Sequence, residues 1–289
     1  MTPSSSTCVG SARRSPVFCR RCCRNFGTRH HSFRIDEREA LLTNATPSRA
    51  LVTGANRGIG FEIARQLAIS GVSVLLSGRN PQAIVTAAET LQAAGLDVAP
   101  CLLDVTDTAS IQEAAAEVAR EYGTLDILVN NAAIRVEKYG KQPSEQPLDQ
   151  WRETFETNLF GVVEVTQAFL PLILKSKAGR IVNVSSLLGS VQTHTDPNSY
   201  AFSPTFKSLP AYSASKSAIN SWTVHLAFEL RETNIKVNAV HPGYTKTDLN
   251  DGDGDFDVST GARTSVEMAL LANDGPTGSF THMGKMLPW

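Results

Sequence analysis

Short runs that are apolar on consecutive residues, such as Ile127-Leu128-Val129, alternate along this chain with longer stretches of helical periodicity. A strand that is apolar on both faces has to be covered on both faces, and a parallel sheet between two layers of helices does this. The alternation begins near Arg49. Strands are predicted at Arg49–Thr53, Val72–Leu76, Asp97–Leu102, Leu125–Asn130, Arg180–Val184 and Ile235–His241, with a last short one at Gly278–Phe280. Helices are predicted between them at Gly58–Ser70, Pro81–Ala94, Thr108–Tyr122, Leu148–Lys175, Ala211–Arg231 and Ser259–Ala272. The first of these carries Ile59, Ile63 and Leu67 on one stripe, and Gly71 supplies its stop. The expectation is one doubly wound α/β (Rossmann) domain with a mainly parallel sheet of about seven strands.

Composition narrows the class without naming a function. With 42% hydrophobic and 19% charged residues in 289, the chain is neither collagen-like, nor a disulfide scaffold, nor wholly disordered. It contains no run of about 18 apolar residues, so no membrane-spanning helix is expected. A net charge of -1 gives no support to nucleic-acid binding. That average hides a split. Residues 1–34 hold seven arginines and no acid, so this segment carries +7 and the remainder -8. An Arg-rich, Ser-rich, acid-free start has the composition of an organelle transit peptide, and a disordered extension is the alternative. Residues 1–46 are therefore set apart as a leader and 47–289 as the domain. The expected location is the cytoplasm, or a mitochondrion or chloroplast if the leader is a targeting segment. Cys8, Cys19, Cys22 and Cys23 also lie in the leader. The gap from Cys22 to His30 and His31 is shorter than in zinc fingers, and no metal is expected. The domain keeps only Cys101, so it needs no disulfide.

The first strand runs into Thr53-Gly54-Ala55-Asn56-Arg57-Gly58-Ile59-Gly60. Glycines between a strand and a helix permit a tight turn and close approach of a pyrophosphate, which the helix N-terminus attracts. A dinucleotide site follows, with Gly54, Asn56, Arg57, Gly58, Ile59 and Gly60 as its loop. An acid about 20 residues further on would mark NAD. The second strand instead ends at Leu76-Ser77-Gly78-Arg79, without an acid. Arg57 and Arg79 together suit a 2′-phosphate, so NADPH/NADP+ is the expected cofactor. Asp104, after the third strand, is placed to accept from the adenine amino group, or else to make a local turn.

Taken together, Thr53 to Gly60, Asn130-Asn131-Ala132-Ala133, Asn158, Val184-Ser185-Ser186, Tyr212-Ser213-Ala214-Ser215-Lys216 and Pro242-Gly243 resemble the short-chain dehydrogenase/reductase family in identity and order. Within it the chain is most similar to NADPH-dependent carbonyl reductases. The resemblance implies that Ser186, Tyr212 and Lys216 are catalytic and that Asn158 holds a water linking Lys216 to solvent. It also implies that Asn131 and Ala132 cover the adenine ribose, while Pro242, Gly243 and Thr247 border the nicotinamide. Ser186 rather than Ser185 precedes the family's two variable residues and glycine, here Leu187-Leu188-Gly189. Ala133 stands where the family usually has glycine. The residues themselves support the chemistry. Tyr212 and Lys216 are four apart on a predicted helix, hence on one face. A phenol of pKa about 10 is a poor proton shuttle near neutrality, and a neighbouring ammonium is expected to favour its phenolate. Ser186, at the C-terminal end of a strand, can donate to a carbonyl oxygen as charge develops on it.

Between Ser186 and Tyr212 lie 25 residues, roughly twice the short family spacing. Pro197, Asn198, Ser199 and Pro204 mark Ser190–Leu209 as a loop, expected to wall the substrate pocket and to favour a monomer or homodimer over a tetramer. The Asp-rich segment Asn250–Asp257 lacks the glutamate of a calcium loop and is expected to be a substrate lid. The expected activity is reduction of a small-molecule aldehyde or ketone. A 3-oxoacyl thioester reductase and a noncatalytic NADPH sensor are the rivals.

Overall fold

The computed structural model describes residues 48–289. The leader and its cysteines and histidines lie outside these residues. Eight strands form one sheet in the order β3-β2-β1-β4-β5-β6-β7-β8. They are β1 (Arg49–Val52), β2 (Ser73–Gly78), β3 (Val98–Leu102), β4 (Ile127–Asn130), β5 (Arg180–Val184), β6 (Lys236–Val240), β7 (Ser279–His282) and β8 (Lys285–Met286). All neighbours from β3 across to β7 are parallel, and β8 turns back antiparallel on β7. The expected doubly wound fold is therefore present with one more strand than expected.

The consecutive apolar residues serve two separate cores. Val52, Val74, Leu76 and Val129 face one layer, where they pack with Ile63 and Leu67 of α1 (Gly58–Ile69), Ile84 and Leu91 of α2 (Pro81–Ala93) and Met268 of α9 (Val258–Ala269). Leu51, Leu75, Leu128 and Ile181 face the other, against Ile111 and Val118 of α3 (Thr108–Glu121), Phe169 and Ile173 of α5 (Gly161–Ile173) and Leu226 of α8 (Pro210–Glu229). Each such fully buried aliphatic side chain contributes on the order of 1.5–3 kcal/mol, so both faces of every central strand stabilise the sheet. Among the described residues no helix is long and apolar enough to cross a membrane.

Three details depart from the sequence expectations. The single long helix expected over Leu148–Lys175 is divided into α4 (Leu148–Phe155), a π-helical turn (Glu156–Phe160) and α5. Asn158 sits in that turn, fully buried, with its side chain drawn onto the main chain of Ile134. A local side-chain pull of this kind is one way a helix accommodates an extra residue. The segment Ser190–Leu209, expected as a loop, holds two short helices, α6 (Val191–Thr195) and α7 (Pro204–Lys207). Ser190 and Ser203 cap them, and Pro204, expected within a loop, occupies the first turn of α7. Finally, β7 continues through Met283 and Gly284, both at positive φ, into β8. A two-residue turn with this geometry matches the twist of a hairpin.

Candidate active site

The parallel strands bring several loops to one edge of the sheet, outside the strand C-termini, where open α/β sheets bind ligands. A cleft of about 780 Å³ lies there, within the usual size of a ligand site. On one side it is lined by the glycine loop Gly54 and Asn56 to Gly60, with Arg79 and Asp104 beyond it. Asn131 and Ala132 form its floor, and Tyr212, Lys216, Pro242 and Thr247 its far wall. Ser186 and Gly243 border a smaller adjoining cavity of about 90 Å³, which Tyr212, Pro242 and Thr247 also line.

Local geometry makes the cleft fit a pyrophosphate. A Cβ on Gly60 would collide with the Asn131 side-chain amide and the Gly54 carbonyl, so only glycine lets these turns close on each other. Thr53 Oγ1 accepts from the main-chain N–H groups of Asn131 and Ala132 at 2.9 and 3.0 Å. Asn131 Nδ2 returns the link, donating to Thr53 O at 2.9 Å and Gly54 O at 3.2 Å. Arg57 occupies the N-cap of α1 with no side-chain cap, which leaves the first-turn N–H groups directed at the cleft. Arg57 Nη1 donates to Asp248 at 2.7 Å, with both side chains 72% exposed, a pair worth little in solution. Arg79 has no ion-pair partner among the described residues. Asp104 makes the local turn, its Oδ1 accepting from Thr106 N at 3.0 Å and Thr106 Oγ1 at 2.8 Å, while still lining the cleft. Ala133 has no positive φ, so alanine is accommodated where glycine is usual in the family.

Tyr212, Lys216 and Ser186 are nearly enclosed. Tyr212 stands in the first turn of α8 at 9% exposure, and Lys216 one turn on at 3%. Lys216 Nζ donates to Val184 O at 2.8 Å and lies 5.7 Å from the Tyr212 ring centre. Ser186 lies just beyond β5, at the start of a 3-10 turn, and accepts from Leu188 N at 3.2 Å. Its hydroxyl is near enough to the Tyr212 phenol to favour the phenolate. Burial outweighs that help. It pushes Tyr212 up to about 12, and lowers Lys216 to about 8. The expectation that Lys216 would favour the phenolate is thus not met by the protein alone. The ammonium points at Val184 O, and desolvation dominates the phenol.

Asn158 does not line the cleft. Its Oδ1 accepts from Ile134 N at 2.8 Å, and its Nδ2 donates to Ile134 O at 2.9 Å and Ser215 Oγ at 3.1 Å. Both amide hydrogens are thereby used. Ser215 Oγ in turn donates to Tyr212 O at 2.7 Å, so Asn158 ties the β4 turn to the first turn of α8.

One buried group escaped the sequence reading. Glu137, 1% exposed, accepts from Ala211 N at 2.6 Å and Tyr212 N at 2.8 Å. The N-cap residue of α8, Leu209, offers no side-chain acceptor, so a carboxylate from a distant loop caps the helix that carries Tyr212. Burial raises the Glu137 carboxyl above its ordinary value, partly offset by those two N–H donors and by Arg135. A glutamate 74 positions before the N–H it caps leaves no periodic or local signal in sequence. The segment Asn250–Asp257 is also tied down. Tyr244 Oη donates to Asp253 at 2.9 Å, and Asn250 Nδ2 donates to Thr245 O at 3.0 Å.

Comparison with known proteins agrees with this arrangement. A family model described as short chain dehydrogenase matches residues 48–256. The short-chain dehydrogenase anuI of Penicillium roqueforti is 37% identical over 232 residues, covering 79% of this chain and 90% of its own. The (+)-neomenthol dehydrogenase of Arabidopsis thaliana is 33% identical over 289 residues, covering 83% and 97% respectively. Among solved structures, an NADPH-bound carbonyl reductase from chicken fatty liver aligns with a TM-score of 0.72 at 29% identity, over 85% of this chain and all of that one. Since the family match spans most of the chain and includes both the nucleotide loop and the Tyr212–Lys216 helix, this protein belongs to the short-chain dehydrogenase family of oxidoreductases.

Proposed function

We propose that the protein uses NADPH to reduce an aldehyde or ketone to an alcohol. The observation that carries this reading is the convergence of Ser186, Tyr212 and Lys216 on adjoining cavities at the strand C-termini. When bound, the nicotinamide supplies the hydride. Tyr212 Oη gives the carbonyl oxygen its proton, and the Ser186 hydroxyl donates to that oxygen as negative charge builds on it. Lys216 is placed to hold the cofactor ribose and, as an ammonium, to stabilise the phenolate that Tyr212 becomes as it gives up its proton, until solvent restores that proton. Asn158 and Glu137 position the turn of α8 on which Tyr212 rides.

Phosphorylated cofactor is favoured because Arg57 and Arg79 line the cleft and no acid follows β2. The NADPH-bound carbonyl reductase neighbour supports the same choice. Replacing both arginines by alanine is expected to raise the KM for NADPH about 10- to 100-fold while leaving that for NADH within about threefold, the range for losing charged hydrogen bonds near the surface. Steady-state kinetics with each cofactor reads this directly. Equal losses for both would mean that the arginines do not recognise the 2′-phosphate.

The reading itself is tested by NADPH consumption against aldehydes, ketones, quinones and acyl thioesters. Turnover of simple carbonyl compounds supports it. Turnover confined to acyl thioesters would make the protein a 3-oxoacyl reductase instead. Tight NADPH binding with no turnover of any class would leave a cofactor-sensing role.

A further inference from the structure

Beside Ser186 and Tyr212 stands a histidine–tyrosine pair that the proton transfer does not use. His241 follows β6 and is 5% exposed. Its Nδ1 accepts from the Leu187 main-chain N–H at 3.2 Å, and its Nε2 lies 3.3 Å from Tyr200 Oη. A main-chain N–H only donates, so Nδ1 must present a lone pair and the neutral ring carries its hydrogen on Nε2. Burial, with His282 adjacent, keeps the ring neutral by lowering His241 to about 3. Nε2–H therefore donates to Tyr200 Oη. That assignment occupies a lone pair of the phenol and leaves its own hydrogen without an acceptor among the described residues. Burial pushes the Tyr200 phenol well above its ordinary value, so it keeps this hydrogen although the residue as a whole is 40% exposed. Phe206 of α7 meets the ring edge-on at 5.2 Å and fixes its plane.

Tyr200, Ser186 and Tyr212 line the same cavity of about 90 Å³. A cavity this small, bordered by both phenols, keeps a group that meets one of them near a group that meets the other. A hydrogen-bond acceptor that meets Tyr200 must then sit within a few bonds of the carbonyl that meets Tyr212. We propose that Tyr200, aimed by His241, is a specificity-determining donor that selects carbonyl substrates bearing a second acceptor oxygen close to the reacting one. This assignment rests on the carbonyl-reductase reading above. The site loses an acceptor for the Tyr200 hydrogen when the second oxygen is absent, and sites built to bond a polar group reject analogues that lack it. The insertion thus contributes a polar selector as well as an apolar wall.

The test uses matched pairs of ketones, diacetyl against butanone and tetrahydropyranone against cyclohexanone, with the full chain and with Tyr200→Phe. Intrinsic reactivity differs within each pair but is the same for both proteins, so the change in the kcat/KM ratio isolates Tyr200. The expected result is a fall of about 3- to 10-fold in the preference for the oxygen-bearing member, the usual worth of one neutral hydrogen bond. An unchanged ratio, or an equal loss for both members of each pair, would overturn the proposal, because a merely structural contact would act on all substrates alike. Failure of the unsubstituted protein to reduce these four or any other simple aldehyde or ketone would instead overturn the reductase reading. In that event ¹⁵N NMR of His241 still decides the pairing on its own, since an Nδ1–H tautomer would contradict the assigned donor direction.

Discussion

Tyr212→Phe is expected to lower kcat for carbonyl reduction by about 10³-fold or more, the upper part of the range for removing a general acid. The substitution is clean because the phenyl ring stays in its place. Tyr212 is 9% exposed and packs with Leu188, Ala201 and Leu209, contacts that phenylalanine retains. Its side chain supports no main-chain group, since the bonds that order this turn run from Glu137 and Ser215 to the Tyr212 backbone. The variant should therefore fold, melt within a few degrees of the parent and still bind NADPH, as fluorescence titration would show. Retention of more than about a tenth of the rate would mean that another group supplies the proton. The pH profile adds a second check. With Tyr212 raised to about 12 by burial, the phenol remains a proton donor throughout the neutral range. Lys216, lowered to about 8, is charged below that pH and neutral above it. Reduction should then decline as pH rises through about 8, with Lys216 rather than Tyr212 setting the limb.

What could be read from the sequence was whatever a local pattern encodes. Ile127 to Val129 revealed the two-faced burial because neighbouring residues of a strand point to opposite cores, as Leu51 and Val52 do. The glycine loop and the Tyr212–Lys216 spacing were legible because a turn and a helix convert short sequence intervals into fixed geometry. Contacts between distant segments were not. Glu137 caps α8 across 74 positions, and His241 reaches Tyr200 across 41. Neither has a spacing that could announce it. The π-helical turn at Asn158 depends on the Ile134 main chain, 24 residues away, and no helical periodicity contains that pull. Pro204 marks a loop in sequence although it opens α7 in the fold, because the same residue starts helices and breaks them, and only the packing around it distinguishes the two. The balance at Tyr212 failed for a related reason. Spacing placed an ammonium one turn away, but the depth of burial, which sets the sign of the shift, is a property of the assembled site.

Lys216→Met should abolish most activity and yet raise thermal stability, the two effects moving in opposite directions. Lys216 is 3% exposed, and its ammonium has one acceptor among the described residues, Val184 O at 2.8 Å. Burial lowers it from an ordinary 10.5 to about 8. At about 1.4 kcal/mol per pKa unit, keeping the charge inside costs the cofactor-free protein on the order of 3 kcal/mol. Methionine fills the same stem without the charge. For a domain of this size about 2–4 °C accompanies each kcal/mol, so the variant should melt several degrees higher near neutral pH. The sign with pH follows from proton counting. The folded state gives up the Lys216 proton at about 8 and the unfolded state only near the ordinary value, so between them the unfolded chain binds more protons and the parent gains stability as pH rises. Below about 8 the penalty is fully present, and the gap in Tm between variant and parent is widest there. It should narrow steadily toward pH ~10. Melting curves across this range, with kcat/KM measured in parallel, check both halves. A variant that melts below its parent would show that the ammonium is compensated within the fold. A stabilised but inactive variant would place Lys216 among the residues that the protein retains for chemistry at the expense of its own stability.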